Sequence, residues 1–260
     1  MSNRPHTSTA AACSSPLRPA LPALLAALHG CALAEPPTCT PEADTACFVG
    51  AFRSLLGQPM DSVEVCTPDL PDVPCTTTGP DGTWRLPGLP RDTDVVVTAS
   101  HEGTVETVFP QSTTLDWYDW YKVMVPLSIM NTNASNVGAT LDPARGNILF
   151  IVWEGLNLDG VDTARVPDVT VRSLSGEGAV FYSSSIGLAS AKAEATTSNG
   201  SGGVLNLTPG VHELEFTAPG GPCSEPMFHW SYTSPNVIPV PVLAGHTTAI
   251  DVLCPTQDGG

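Results

Sequence analysis

Apolar and polar residues alternate in short runs along most of this chain, and clusters of Pro, Gly, Asn and Asp separate the runs. Val63 and Val65 fall on one side of such a run, with Ser62 and Glu64 on the other. Trp84 and Leu86 alternate with Thr83 and Arg85, and Val95, Val97 and Ala99 with Asp94, Val96 and Thr98. Alternation of period two predicts half-buried β-strands. The same reading predicts strands at residues 48–52, 121–128 and 148–153, around Val169 and Val171, and around Phe181 and Tyr182. Two closing strands are expected at residues 237–242 and 247–253. Pro239 and Pro241 mark the first of these as an edge strand, because proline donates no ladder hydrogen bond.

One stretch is written twice. Residues 77–99 read TTGPDGTWRLPGLPRDTDVVVTA, and residues 196–218 read TTSNGSGGVLNLTPGVHELEFTA. Each copy passes a turn at Asp81-Gly82 or Asn199-Gly200, then a strand, a Pro/Gly turn and a second strand. In the second copy Leu205, Leu207, Leu214 and Phe216 are expected to face inward, and Glu213 and Glu215 outward. A repeat of this kind predicts two similar β domains in tandem. The first occupies residues 47–130 and the second residues 144–256. Residues 131–143, polar and without apolar pattern, read as a linker, and residues 35–46 as a tether.

The order Gly50, Pro59, Val63, Val65, Thr78, Asp81, Gly82, Trp84, Leu86, Gly88, Leu89, Pro90 resembles the carboxypeptidase regulatory-like family. The resemblance covers residues 47–128 and extends more loosely over 147–254. It implies an all-β chain of two tandem seven-stranded-type sandwiches, transthyretin-like (prealbumin-like) or Ig-like. It implies no peptidase activity, since related sandwiches serve as spacers, adhesion modules and glycan-binding modules. Some related surface adhesins cross-link Lys to Asn within the domain. Neither opening strand here contains a lysine, so that chemistry is not expected.

The first 34 residues read as a leader cleaved from the mature chain. Arg4 and Arg18 precede an apolar run at residues 20–28, which is too short to span a bilayer. Leu28-His29-Gly30-Cys31 resembles a bacterial lipobox, which makes Cys31 the lipidation candidate and the outer membrane the expected destination. Ala32-Leu33-Ala34 offers ordinary cleavage before Glu35 instead, leaving the protein periplasmic or secreted. Six cysteines remain beyond the leader: Cys39, Cys47, Cys66, Cys75, Cys223 and Cys254. An even number without any CxxC pair predicts three disulfides in an oxidising compartment rather than a metal or redox site. Cys66 with Cys75, and Cys223 with Cys254, are the favoured pairs.

Composition narrows the partners. The net charge is −16, and without Arg4 and Arg18 the chain sets 8 Lys and Arg against 26 Asp and Glu. Such a surface repels phosphate backbones, so nucleic acid is not an expected partner. No catalytic constellation and no cofactor motif is apparent. Ser183, Ser184 and Ser185 lack the glycine of a nucleophile elbow, and His101, His212, His229 and His246 are isolated in sequence. Asn157, Asp159 and Asp162 around Gly160 only faintly resemble a calcium loop. The candidate ligand contact is the aromatic cluster Trp117, Tyr118, Trp120 and Tyr121, flanked by Asp116 and Asp119. Its aromatics either fill a core or form a platform for a sugar or a partner protein. These features together predict a non-catalytic envelope lipoprotein making structural or protein–protein contacts. The alternative is a carbohydrate-binding module built on the aromatic cluster.

Overall fold

The computed structural model describes residues 44–114, 117–155, 164–224 and 236–256, with residues 117–121 described by backbone alone. Sixteen strands and one short helix are defined among them, an all-β architecture. The first half contains β1 (Thr45–Arg53), β2 (Glu64–Cys66), β3 (Thr76–Thr77), β4 (Thr83–Pro90), β5 (Asp94–Ser100), β6 (Thr107–Ser112) and β7 (Trp117–Val123). Helix α1 (Leu127–Asn136) follows. The second half contains β8 (Gly146–Trp153), β9 (Thr170–Ser173), β10 (Ala179–Ser183), β11 (Ala189–Ser190) and β12 (Ser201–Leu207). It continues with β13 (Gly210–Ala218), β14 (Gly221–Pro222), β15 (Val237–Val242) and β16 (Thr247–Leu253).

The repeat seen in the sequence is a repeat of topology. In the first half β4 runs antiparallel to β1 and β7 runs parallel to it. In the second, β12 and β16 flank β8 in the same senses. The facing sheets match as well: β2–β5–β6 corresponds to β9–β13–β15, with every pair antiparallel. One strand departs from the pattern. Strand β3 pairs with β2, whereas β10 joins the other sheet beside β12.

Local anchors repeat with the strands. The Thr78 hydroxyl accepts the Val63 N–H (2.8 Å) and donates to the Met60 carbonyl (2.7 Å). Thr196 does the same for Val169 (2.9 Å) and Val166 (2.9 Å). The residues preceding those valines, Ser62 and Asp168, share the left-handed conformation, with φ of 58° and 60°. Thr196 therefore corresponds to Thr78, one residue later than the written repeat begins. Gly82 and Gly200 both have positive φ, and a Cβ at either would meet a backbone carbonyl, of Phe52 or of Val152, at 2.6 or 2.8 Å. Only glycine fits both demands.

Two main cores result, one inside each half. Phe48, Phe52, Trp84, Leu86, Leu89 and Phe109 anchor the first. Phe150, Val204, Leu207, Leu214, Phe216 and Val252 anchor the second. Leu207, Leu214 and Phe216 face inward as expected, but Leu205 does not join them. A β-bulge between Val204 and Leu207, with Asn206 at φ 60°, shifts the alternation, so Val204 and Leu207 share the inner face. The first copy has the same bulge at Gly88, φ 79°, which brings Leu86 and Leu89 together.

Leu205 is buried on the opposite face with Phe181 and Ala189, beneath Met130 and Ala134 of α1. This helix occupies part of the expected linker, and β7 ends at Val123 rather than Ser128. Asn133 Oδ1 accepts the Ala189 N–H (3.0 Å), and Asn136 Nδ2 donates to the Ala189 carbonyl (3.1 Å). The two side chains satisfy both backbone groups of Ala189 as a further strand would. Helix α1 thereby covers an edge that would otherwise invite pairing.

Candidate functional site: the seam between the halves

The halves share a sheet. Strand β16, paired with β8 along its whole length, also pairs in parallel with β6 at Thr107–Thr247 and Val108–Thr248. The result is a nine-stranded sheet running through both halves in the order β11-β10-β12-β8-β16-β6-β5-β2-β3. Strand β15 stays at the edge of its own sheet, where Pro239 and Pro241 have no N–H to extend it.

Side chains reinforce this junction. Lys122 on β7 lies 2.5 Å from Asp251 Oδ2 on β16, both side chains being mostly buried. Trp153 Nε1 donates to the other carboxylate oxygen (2.8 Å), and the Arg165 guanidinium stacks 3.3 Å above the Trp153 ring. Lys122 also sits 5.9 Å from the centre of the Phe109 ring. Asp251 thus receives charge-assisted donors from both halves, the stronger class of hydrogen bond. Sequence reasoning missed this contact. The available signal was scarcity: Lys122 is one of two lysines in a strongly acidic chain.

At the other end of β16 a cavity of about 300 Å³ opens between α1 and the starts of β6, β8 and β16. Val105, Leu127, Leu141 and Pro143 contribute apolar wall, while Asn147 and Thr247 contribute polar surface. Glu106 and Arg145 also line it. His246 Nε2 lies 3.1 Å from Glu106, and its Nδ1 lies 2.7 Å from the Ala244 carbonyl. Arg145 donates to the Asn206 carbonyl (2.9 Å) and lies 3.8 Å from Asp142.

His212, Glu177 and His101 are engaged locally. His212 is buried, with Nε2 2.7 Å from the Thr208 carbonyl and Nδ1 3.3 Å from the Ser175 hydroxyl. The carbonyl requires a proton on Nε2, which leaves Nδ1 as the acceptor for Ser175. That pair resembles part of a nucleophilic dyad, but the adjacent amides are occupied. Gly176 N–H donates to Ser173, and Glu177 N–H donates to Ser175 itself. Hydrogen bonds from the Thr208 hydroxyl and amide hold the Glu177 carboxyl below its ordinary range. The group therefore reads as a lock on the β9–β10 turn. Ser183 is buried in β10, and His101 bonds only its neighbourhood.

Both favoured disulfides are present, Cys66–Cys75 and Cys223–Cys254. Cys47 is also disulfide-bonded, while Cys39 and Cys31 lie outside the described residues. Glu64, Cys66 and Cys75 come close enough together to suggest a metal site, but the disulfide removes both thiolates. The side chains of Trp117, Tyr118, Trp120 and Tyr121 lie outside the described residues, as do His229 and the loop containing Asn157, Asp159 and Asp162. The backbone of β7 places the aromatic segment on an edge strand, paired with β1.

No protein-family model and no curated protein matches this chain. The chain is similar at low level to the minor pilin GBS52 of Streptococcus agalactiae, with 13% identity over 81% of this chain and 97% of that one (TM-score 0.25). Similarity to the major pilin subunit BcpA of Bacillus cereus, in its D312A form, is 9% over 81% and 100% of the two chains (TM-score 0.25). For the Bacillus anthracis TIE protein it is 12% over 81% of this chain (TM-score 0.24), and this chain spans 34% of that protein's length. Scores of this size assign neither fold nor role. The resemblance to the carboxypeptidase regulatory-like family rests on the motif residues alone.

Proposed function

We propose that this is a non-catalytic exported protein whose joined sandwiches act as a stiff module for contacts with other envelope proteins. The observation that carries the reading is the shared sheet, fastened at β6–β16 and at Lys122–Asp251. Tandem domains that only need to space two ends do not require such a seam, because a linker serves. The two disulfides support an oxidising destination. No helix among the described residues is long and apolar enough to cross a membrane. We assign attachment to a lipid on Cys31. Several acyl chains hold a protein firmly, at about 0.8 kcal/mol for each buried CH₂. The net charge of −16 argues against nucleic acid.

The test has two arms. Detergent partitioning should place the wild type in the lipid phase and Cys31→Ala in the aqueous phase; a mature N-terminus at Glu35 would remove the anchor. Cross-linking in intact envelopes, followed by mass spectrometry, should recover defined protein neighbours in both halves. A protein that cross-links to nothing would sink the contact role. The position of the aromatic segment on edge strand β7 favours a second reading, glycan contact through Trp117 and Trp120. Alanine at both positions would then abolish glycan binding while leaving the fold intact.

A further inference from the structure

We infer that Glu64, Cys66 and Cys75 form a redox-gated site for a thiophilic divalent cation of the zinc type. Oxidised, the cysteines are the disulfide described above; reduced, they and Glu64 are ligands. The inference is independent of the contact role above. Strands β2 and β3 pair at Glu64–Thr77 and Val65–Thr76, and the next positions in that register set Cys66 opposite Cys75. Their Cα atoms lie 4.4 Å apart, the spacing of a non-hydrogen-bonded cross-strand pair. The ladder thus brings the sulfurs together independently of the bond between them. Glu64, two residues before Cys66, faces the same side of β2. Its carboxylate and both sulfurs lie within 4.8 Å of one another. The frame stays in place when the disulfide opens. Strand β5 holds the other side of β2, opposite Glu64 and Cys66, and the Thr78 N–H, just after β3, donates to the Val63 carbonyl (2.9 Å).

Exposure separates this disulfide from Cys223–Cys254. Those two cysteines are each 1% exposed, whereas Cys75 is exposed and Cys66 half-buried. An exposed disulfide is the labile kind, open to thiol–disulfide exchange. A dithiol reductant delivers two electrons and two protons to the pair, leaving thiols at Cys66 and Cys75 and a disulfide in the reductant. A divalent cation then displaces both thiol protons, because the thiolate is the metal-binding form. Two thiolates and one carboxylate are a three-ligand set that zinc accepts, with water in its fourth position. Glu64 and Cys75 are both exposed, so that position faces solvent. Soft sulfur donors select cations of the zinc type over calcium and magnesium, which take oxygen ligands. The oxidised state excludes the cation, since each sulfur is then bonded to the other. The site lies at the margin of the nine-stranded sheet, where β2 and β3 end the strand order.

Mild treatment of the full chain with a dithiol, followed by mass mapping of the cysteine peptides, should open Cys66–Cys75 before Cys223–Cys254. Titrating that reduced protein with Co²⁺, a coloured substitute for Zn²⁺, should produce a sulfur-to-cobalt charge-transfer band that Zn²⁺ then removes. The untreated, oxidised protein should produce no band. Replacing Cys66 and Cys75 together by Ser should abolish the band in reduced protein. Glu64→Gln leaves both sulfurs in place, so it should keep the band and shift the ligand-field absorption of the cobalt. The inference is overturned if the reduced wild type gives no band, or if the buried disulfide opens first. It is equally overturned if the band persists without Cys66 and Cys75, which would assign it to other cysteines. A Glu64→Gln spectrum identical to wild type would overturn the assignment of Glu64 as a ligand.

Discussion

Phe150 lies directly opposite Gly202 across β8 and β12, and its ring occupies the space a Gly202 side chain would need. The equivalent pair in the first half is reversed: Gly50 on β1 faces Trp84 on β4. Each sandwich thus places one large aromatic at this level of its core, on opposite strands of the pair. The exchange keeps the layer filled, which close packing requires. A Cβ at Gly202 would stand 2.5 Å from the Phe150 ring and closer still to the Phe181 carbonyl. Gly202→Ala should therefore destabilise by about 1–3 kcal/mol through overpacking. Trp84→Ala should lose about 3–5 kcal/mol through a cavity. Urea denaturation monitored by circular dichroism measures both, and a neutral Gly202→Ala would contradict the packing described.

The paired threonine anchors allow an internal control. Replacing Thr78 or Thr196 by Val keeps the shape but leaves a buried N–H and a carbonyl without their shared hydroxyl. Each substitution should destabilise by about 1–3 kcal/mol, and the two losses should be similar. Thermal melts of both single variants decide this. A large loss in one half with none in the other would show that the matching geometry does not carry matching energy.

Much of this fold could be read in advance because it is written in local patterns. Alternation located most strands, the repeat exposed the shared hairpin, and cysteine spacing pointed to the two disulfides. Three features escaped. Simple alternation points Leu205 inward, and only the bulge at Asn206 reverses it; Gly88 in the first copy is the available hint. Helix α1 has no acidic first turn, no side-chain cap and little amphipathic pattern, so nothing local announces it. Docking on Phe181, Leu205 and Ala189 stabilises it instead, as is usual for short helices. The seam is invisible for another reason: two residue pairs and one ion pair join segments far apart in sequence. The cavity inherits that limit, being made of strand starts and a helix face that no motif links.

Helix α1 gives the boundary between folding units a testable position. Met130 and Ala134 pack with Phe181, Ala189 and Leu205 of the second half as well as Val105 of the first, and both asparagine bonds go to the second half. A fragment of residues 124–256 should be more stable than one of residues 141–256, which leaves Phe181 and Leu205 uncovered. Removing that cover should lower the urea midpoint, at roughly 25 cal/mol for each Å² of apolar surface exposed. Equal midpoints for the two fragments would show the helix to be dispensable and restore the boundary expected at residues 131–143.

Acid should act unequally on the two copies of the hairpin turn. Asp81 Oδ1 accepts the Thr83 N–H (3.0 Å) and hydroxyl (2.8 Å), and these bonds, led by the backbone one, lower its pKa from 3.8. In the second copy Asn199 accepts the Ser201 hydroxyl (3.0 Å) without a titrating group. A carboxyl lowered by folding contributes stability that is present above its unfolded pKa and lost as pH falls through the folded value. Asp81→Asn should therefore give up that contribution at pH 7 and flatten the acid limb, so that the two stability curves converge as pH falls below about 4. Denaturation midpoints from pH 2 to 7 for both proteins check it, and parallel curves would mean the turn contributes no pH dependence.

Lys122 and Asp251 decide whether the halves behave as one body. Their side chains are 17% and 15% exposed, between the surface pairs worth about 0–1 kcal/mol and the buried pairs whose breakage costs about 3–5 kcal/mol. Lys122→Met removes the cation and leaves Asp251 with Trp153 Nε1 as its neutral donor. Asp251→Asn with Lys122→Met removes both charges and keeps a polar partner for Trp153. The single variant should lose about 1–3 kcal/mol, and the double variant should recover part of that loss, because a partly buried carboxylate that has lost one of its cationic partners is the more expensive state. The wild type should unfold in one transition, since the β6–β16 pairing and this ion pair couple the two cores. Weakening the ion pair should broaden that transition or divide it in calorimetry, the signature of domains released from one another. A single sharp transition of unchanged midpoint in Lys122→Met would show that the backbone pairing at Thr107 and Thr247 holds the seam without help.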